Sequence, residues 1–495
     1  MKPKYPIYFY LIALVFPLII LIMVELGLRY FGYGMDRRPW VPVSSDYPEW
    51  LTLNPEFTRP YFQRLQRIPT PHFSFFRDRK PINSFRVFVL GESSTAGFPY
   101  DANVSFPDFL ARRLQSLYPQ SRIEMVNLGI SAINSYTLLD ILPAVLDRQP
   151  DLILIYTGHN EYYGAWGAGS SETLGRFPQL VTWWKAFNRL KITEWGHQII
   201  RTFHSRNEAG TTLMERMVGD PSIAIDSRVY RMGVNQFERN MSQMIEMIQQ
   251  YKVPLLIGNL VSNLKDQPPL ASMPLTGREK NPVSDGGEPA SADESFRAAQ
   301  SAEQAGDYSR ARSLYVQARD LDAMRFRAPS EFNAIIDSLC RDHHIPMVDL
   351  DSAFSANSPN GLIGNELMTD HLHPTREGYR LMADVFRESM NRSGYLPATP
   401  IDSLAPEPPI PFTGLDSMIA VYRLAVLKSS WPFTDRISDR PVNLPIRSLI
   451  DSLAYKVVGE SYSFEKAHLK AAEYWYSQAR YPEFCREMET LIAYT

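Results

Sequence analysis

Phe85-Arg86-Val87-Phe88-Val89-Leu90-Gly91-Glu92-Ser93-Ser94-Thr95-Ala96-Gly97 is the stretch on which the fold turns. Its first half is β-rich and apolar, and its second half is short, polar and bounded by glycine. A run of this kind is expected where a buried strand of a parallel sheet ends in a tight turn. Working outward, apolar residues at Phe106, Phe109, Leu110, Leu114 and Leu117 fall on one helical stripe. Ile123–Asn127 reads as a second strand, 138–146 as a helix, and Asp151–Tyr156 as a third strand. Phe237, Met241, Met244, Ile245 and Ile248 make another helical stripe, followed by a strand at 253–257. A helix at Asn333–Cys340 precedes a fifth strand at 345–350. Strand and helix in alternation predict an α/β domain with a parallel five-stranded sheet flanked by helices. Ligands of such sheets bind beyond the carboxyl ends of the strands.

The chain is 495 residues long, 44% hydrophobic and 21% charged, with a net charge of −3. That is enough for two or three ordinary domains, and there is no clustered basic character to suggest nucleic acid. Residues 7–24 are uncharged and mostly apolar, flanked by Lys2 and Lys4 before and Glu25 and Arg29 after. At ~1.5 Å per residue the run reaches about 27 Å, which predicts a transmembrane anchor over 5–28. A cleaved signal peptide is the competing reading, but no small-residue cleavage site follows. The flanking charges do not decide the orientation. Residues 29–84 read as an extended linker packed on the domain-sized unit 85–395. Two insertions interrupt that unit. Residues 164–228 carry Trp166, Trp183, Trp184, Phe187 and Trp195, which suit an acyl or sugar pocket, a membrane surface or a core alike. Residues 263–330 open with a Pro/Gly/Ser-rich piece (266–293) that reads as a mobile connection. They continue into a hairpin with tetratricopeptide-like spacing at Gly306, Tyr308, Ala311, Tyr315 and Ala318. Residues 400–495 predict a helical domain of the same type, offering a surface for a protein partner. Cys340 and Cys485 fit no metal or redox motif and read as isolated buried thiols.

Four short elements carry chemistry, each just after a strand. The first is Gly91-Glu92-Ser93, a serine placed as an exposed nucleophile. It lacks the Gly-Lys-Ser/Thr of a phosphate loop and the GxGxxG of a dinucleotide site. The second is Asn127-Leu128-Gly129-Ile130-Ser131-Ala132. The third is Gly158-His159-Asn160-Glu161, where the Asn160 amide can donate to an oxyanion. The fourth is Asp370-His371-Leu372-His373, in which an aspartate three residues before a histidine can fix its tautomer.

Taken in order, these elements resemble the SGNH/GDSL hydrolase superfamily. Ser93 lies in the GDSL block, with Glu92 where Asp is usual. Ala132 aligns with the glycine that supplies a backbone oxyanion donor. Gly158-x-Asn160 matches the third block and Asp370-x-x-His373 the fifth. The resemblance implies a flavodoxin-like sheet, a catalytic set of Ser93, Asp370 and His373, and an oxyanion hole from the N–H groups of Ser93 and Ala132 with the Asn160 side chain. It implies hydrolysis of carboxylic esters, acyl or acetyl, on envelope glycans or lipids. An O-acyltransferase using the same site, or an inert anchored scaffold, is the alternative. Gly129, His159 and His371 stand as candidates for lining the substrate. No cofactor and no metal are expected, since no cluster has metal-ligand spacing. The resemblance also implies a place in a bacterial inner membrane with the catalytic unit on the periplasmic side.

Overall fold

The computed structural model describes residues 6–36, 38–62, 65, 68–100, 103–171, 190–203, 213–274, 289, 291–397, 409–434, 444–460 and 462–494. Its centre is a sheet of five parallel strands: β4 (Ser84–Gly91), β5 (Arg122–Gly129), β6 (Leu152–Tyr156), β7 (Leu255–Gly258) and β8 (Met347–Val348). The spatial order is β5-β4-β6-β7-β8, all pairs parallel. The predicted sheet is therefore present, and the order reverses at β4, where β5 and β6 diverge to either side. Such a switch point opens a crevice above the strand ends. Val87 to Leu90 and Leu152 to Ile155 are fully buried, as an apolar run covered on both faces requires. Helices Phe106–Leu117, Ser135–Leu146, Arg228–Gln250, Ser330–Asp342 and Arg376–Arg392 cover those faces. The last strand is two residues long, against six predicted, because Leu350 already opens the helix Leu350–Ala356 behind its Asp349 cap.

The segment before the sheet is more ordered than its composition suggests. It forms a separate antiparallel sheet of β1 (Trp40–Pro42), β2 (Trp50–Leu53) and β3 (Phe75–Arg77). Trp40 and Phe76 pack edge to face at 5.0 Å between centroids, and both touch Phe88 of β4. A buried guanidinium joins the two sheets: Arg86 pairs with Glu124 at 2.8 Å and donates to the carbonyl of Arg77 at 2.7 Å.

The N-terminal helix Ile7–Tyr30 is 24 residues long, with a mean hydropathy of 2.8 and 6% of its apolar window buried. It is long and apolar enough to cross a membrane. Its foot is built into the folded chain. Glu25 accepts from the Ile192 N–H at 2.9 Å, and the Met35 N–H donates to Glu194 at 2.6 Å. Lys191 Nζ donates to the Met35 carbonyl at 2.9 Å. The helix Lys191–Phe203 thus docks on the end of the N-terminal helix and leaves Trp195 and Ile199 exposed. Trp166 is core, packed on Tyr61 and Tyr136. Trp183, Trp184 and Phe187 lie outside the described residues, as does most of the Pro/Gly/Ser-rich piece.

The second insertion contains a hairpin of helices Ala292–Gln304 and Tyr308–Leu321, closed by Phe296 on Tyr315. It is tied to the α/β unit by an Arg312–Asp351 ion pair at 2.6 Å. After residue 409 come helices Gly414–Lys428, Leu449–Gly459, Phe464–Ser477 and Tyr481–Tyr494. They hold a core of their own, with Leu415, Ile419, Ala454, Ala467 and Ala471 buried. His468, fully buried, lies 2.6 Å from Glu487 and 3.3 Å from Asp416, joining three of these helices. The cysteines are unpaired; Cys340 is buried as expected, but Cys485 is exposed on the last helix.

Candidate active site

The nucleophile candidate sits where β4 runs out. Ser93 opens a single helical turn, Ser93–Ala96, closed by Gly97 at φ +96°. Glycines on two neighbouring strands let this turn lie flat on the sheet. A Cβ on Gly91 would stand 2.4 Å from the Tyr156 carbonyl oxygen, and one on Gly129 2.2 Å from the Ala96 nitrogen. Gly129 thus packs directly beneath the turn. Asn127 fixes the same turn, donating to the Thr95 carbonyl at 2.8 Å.

Residues 368–374 form a narrow loop before the helix Arg376–Arg392. The Thr369 N–H donates to the His373 carbonyl at 2.7 Å, and Met368 bridges Pro374. Thr375 caps the helix. Within the loop, Asp370 Oδ1 accepts the N–H groups of Leu372 and His373, both at 2.9 Å. Asp370 Oδ2 lies 2.7 Å from His373 Nδ1, and His373 Nε2 lies 2.8 Å from Ser93 Oγ. Ser93, Asp370 and His373 are 8%, 2% and 7% exposed. Burial alone would raise the Asp370 carboxyl, but His373 and His371 outweigh it and hold it well below the usual carboxylate range. The arrangement is a hydrogen-bonded chain from a carboxylate through an imidazole to a hydroxyl. Phe98 packs on the His373 ring at 4.5 Å.

His371 Nδ1 approaches Asp370 Oδ1 at 3.3 Å, and its ring packs on Phe326 and Phe433. Burial lowers its pKa below that of ordinary histidine. Asp370, His371 and His373 bring ligand-type atoms within 4.8 Å of one another, a grouping that linear spacing did not suggest. Both nitrogens of His373 are already engaged by Asp370 and Ser93.

Ala132 takes the left-handed conformation, φ +59°, where the resemblance places glycine. Ser93, Ala132, Asn160, His371 and His373 all border one cavity of about 430 Å³. His159 does not border it. Its Nδ1 accepts the Ala328 N–H at 3.2 Å, and burial, with His371 and His373 nearby, pushes it down to about 3. It is a neutral strut behind the cleft.

Glu92 has a role that its position beside Ser93 does not reveal. Its Oε1 accepts the Thr157 hydroxyl at 2.7 Å and the Gly158 N–H at 3.0 Å, and its Oε2 accepts the Asn160 N–H at 3.1 Å. The buried carboxyl therefore locks the Asn160 loop to the Ser93 turn. Burial outweighs these donors and pushes Glu92 up to about 8. Glu161, held by the Ser135 hydroxyl at 2.7 Å, secures the other side of that loop.

Further parts of the cavity wall are Leu213, Met214 and Met217 of the first insertion, Phe326 of the second, Leu372 beside His373, and Arg423, Val426, Leu427, Val457 and Val458 of the C-terminal helices. A second cavity of about 310 Å³, with Thr70 and His72 in its wall, shares Phe98, Ser131 and Arg423 with the first. The contribution of residues 423–458 could not be anticipated, since nothing local in their sequence points to a distant cleft.

Solved structures with similar folds include a putative GDSL-like lipase from Parabacteroides merdae, 15% identical, covering 63% of this chain and 98% of its own, TM-score 0.32. An acetyl xylan esterase, AlAXEase, is 14% identical and covers 62% and 99%, TM-score 0.33. A lipase/acylhydrolase from Enterococcus faecalis is 15% identical and covers 62% and 96%, TM-score 0.30. No curated protein matches the sequence. The GDSL-like lipase/acylhydrolase family model matches residues 89–381, more than half of the chain. The chain accordingly belongs to the GDSL-like lipase/acylhydrolase family and is a hydrolase acting on ester bonds.

Proposed function

We propose that the chain is a membrane-anchored serine esterase working through Ser93, His373 and Asp370. The observation that carries this reading is the unbroken chain Asp370 Oδ2 – His373 Nδ1 – His373 Nε2 – Ser93 Oγ, with links of 2.7 and 2.8 Å. His373 takes the Ser93 proton as Oγ attacks the ester carbonyl. Asp370 holds the imidazole with its proton on Nδ1 and stabilises the imidazolium that forms. The N–H groups of Ser93 and Ala132 and the Asn160 amide receive the oxyanion. The tetrahedral intermediate collapses, the alcohol leaves with the proton from His373, and the acyl group remains on Ser93. Water, deprotonated by His373, then attacks the acyl-enzyme, releasing the acid and restoring Ser93.

We assign 85–395 to the hydrolase unit, 5–28 to the anchor, 29–84 to the connecting segment and 400–495 to a separate helical unit. The separate core around Leu415 and Ile419 supports that last division. Retention of the anchor is supported by Glu25 and Met35, whose hydrogen bonds to 192 and 194 make its foot part of the fold. Exposed Trp195 on the same helix suits a membrane surface. The periplasmic side of a bacterial inner membrane follows from the resemblance, and esters of envelope glycans or lipids are the corresponding substrates. Ser93→Ala in the full-length protein should abolish turnover of p-nitrophenyl esters. Wild-type turnover in that variant would remove the assignment.

A further inference from the structure

The cavity beside Ser93 is larger and more apolar than the cleavage of an acetyl group requires. One of its walls, Val426, Leu427, Val457 and Val458, comes from helices outside the family match of 89–381. Met214 and Met217 of the first insertion line the same cavity. The C-terminal wall is held in place rather than loosely apposed. Arg423 Nη1 donates to the Pro99 carbonyl at 3.1 Å, beside the nucleophile loop, and Leu415 and Ile419 bury the inner face of the same helix. Asn103 Nδ2 donates to the Thr490 carbonyl at 3.4 Å, tying the last helix to the same region. An acetyl group would leave most of this apolar wall facing water, whereas a longer acyl chain would remove it from water.

We propose that the C-terminal helices complete an acyl-chain site, making the enzyme selective for straight-chain acyl groups longer than acetyl. The inference rests on the assignment of Ser93 as nucleophile. Each methylene laid against these apolar residues contributes roughly two- to threefold in kcat/KM, less than the roughly fourfold of full burial because the chamber is open on one side. Four methylenes, from butyrate to octanoate, compound to roughly 15- to 80-fold.

The test is a series of monomeric p-nitrophenyl esters from acetate to decanoate, assayed with the full chain. A rise in kcat/KM from acetate through octanoate is expected. Leu427→Asp should lower the octanoate-to-acetate ratio at least tenfold, and Val458→Trp, which fills the chamber, should move the preferred chain to shorter esters. A flat or falling wild-type profile, with turnover still lost in Ser93→Ala, would overturn the acyl site while leaving the esterase reading intact. A rising profile with the ratio unchanged in both folded variants would overturn the role of the C-terminal helices. Turnover surviving in Ser93→Ala would instead strike the catalytic assignment. Should one wall variant unfold, the other decides the role of the C-terminal helices; should both unfold, Val426→Ser, a smaller change at the exposed edge of the same wall, replaces them and is expected to lower the octanoate-to-acetate ratio.

Discussion

Replacing Asp370 by Asn keeps the side chain's shape and removes its charge, and the local geometry dictates the consequence. Oδ1 accepts two backbone N–H groups at 2.9 Å, from Leu372 and His373. An amide NH2 cannot occupy that place without setting three donors against one another. The Asn oxygen must therefore face the backbone and its NH2 must face His373 Nδ1. That nitrogen becomes the acceptor, the ring proton moves to Nε2, and Nε2 can no longer take the proton of Ser93. A loss of about 10⁴ in kcat is expected from this tautomer change, or ~5.4 kcal/mol in the barrier. KM should change little, because Asp370 does not border the cavity. The assay is p-nitrophenyl butyrate turnover, with thermal melting to confirm that the buried loop still forms. His371→Gln serves as the comparison: it touches Asp370 but not Ser93, so a loss of less than tenfold is expected. Activity of Asp370→Asn within tenfold of wild type would refute the orientation argument.

Three further outcomes are expected from particular contacts. Asn160→Ala keeps the backbone bond to Glu92 and deletes only the amide, so kcat should fall about 10²–10³-fold with KM nearly constant; an equal rise in KM would mean ground-state binding instead. Gly129→Ala drives a Cβ to 2.2 Å from the Ala96 nitrogen, and denaturant unfolding should show a loss of about 3 kcal/mol or more together with impaired turnover; wild-type stability and rate would show that the turn does not rest on that strand. At His468 burial disfavours the imidazolium, but Asp416 and Glu487 outweigh it and push the group up to about 9 from an ordinary 6.5. Its folded value is the raised one, so its stabilisation is complete below about pH 6.5 and lost as pH rises through 9, up to ~3 kcal/mol in all. His468→Gln should flatten that part of the melting-temperature profile, and parallel profiles for the two proteins would contradict the ion-pair reading.

The features that could be read in advance divide from the rest along physical lines. The sheet was legible because Val87–Leu90 and Leu152–Ile155 are buried on both faces and so appear as unbroken apolar runs. The relation of Asp370 to His373 was legible because it is local, closed within one narrow loop. The link from His373 to Ser93 spans 280 positions and was inferable only from both following strand ends. The packing of Gly129 under Ala96 was not legible because a glycine's reason for being there is the neighbour it admits, and that neighbour is set by strand pairing. The bond from the Ala328 N–H to His159 was not legible because the two residues lie 169 positions apart. Glu92 passed as a simple substitution for Asp, though its carboxyl carries three bonds to the Asn160 loop. The small antiparallel sheet escaped notice because its strands, three or four residues long, are too short to show a period. The placement of Val426, Leu427, Val457 and Val458 over the cleft depends on how whole helices dock, which no local pattern encodes.

The central claim is that Ser93 is the residue that becomes acylated. Treatment of the full-length protein with a fluorophosphonate probe, followed by peptide mass mapping, tests it most directly. A single adduct on Ser93 is predicted, absent in Ser93→Ala and strongly slowed in His373→Ala. An adduct on any other residue, or labelling that persists in Ser93→Ala, would contradict the account.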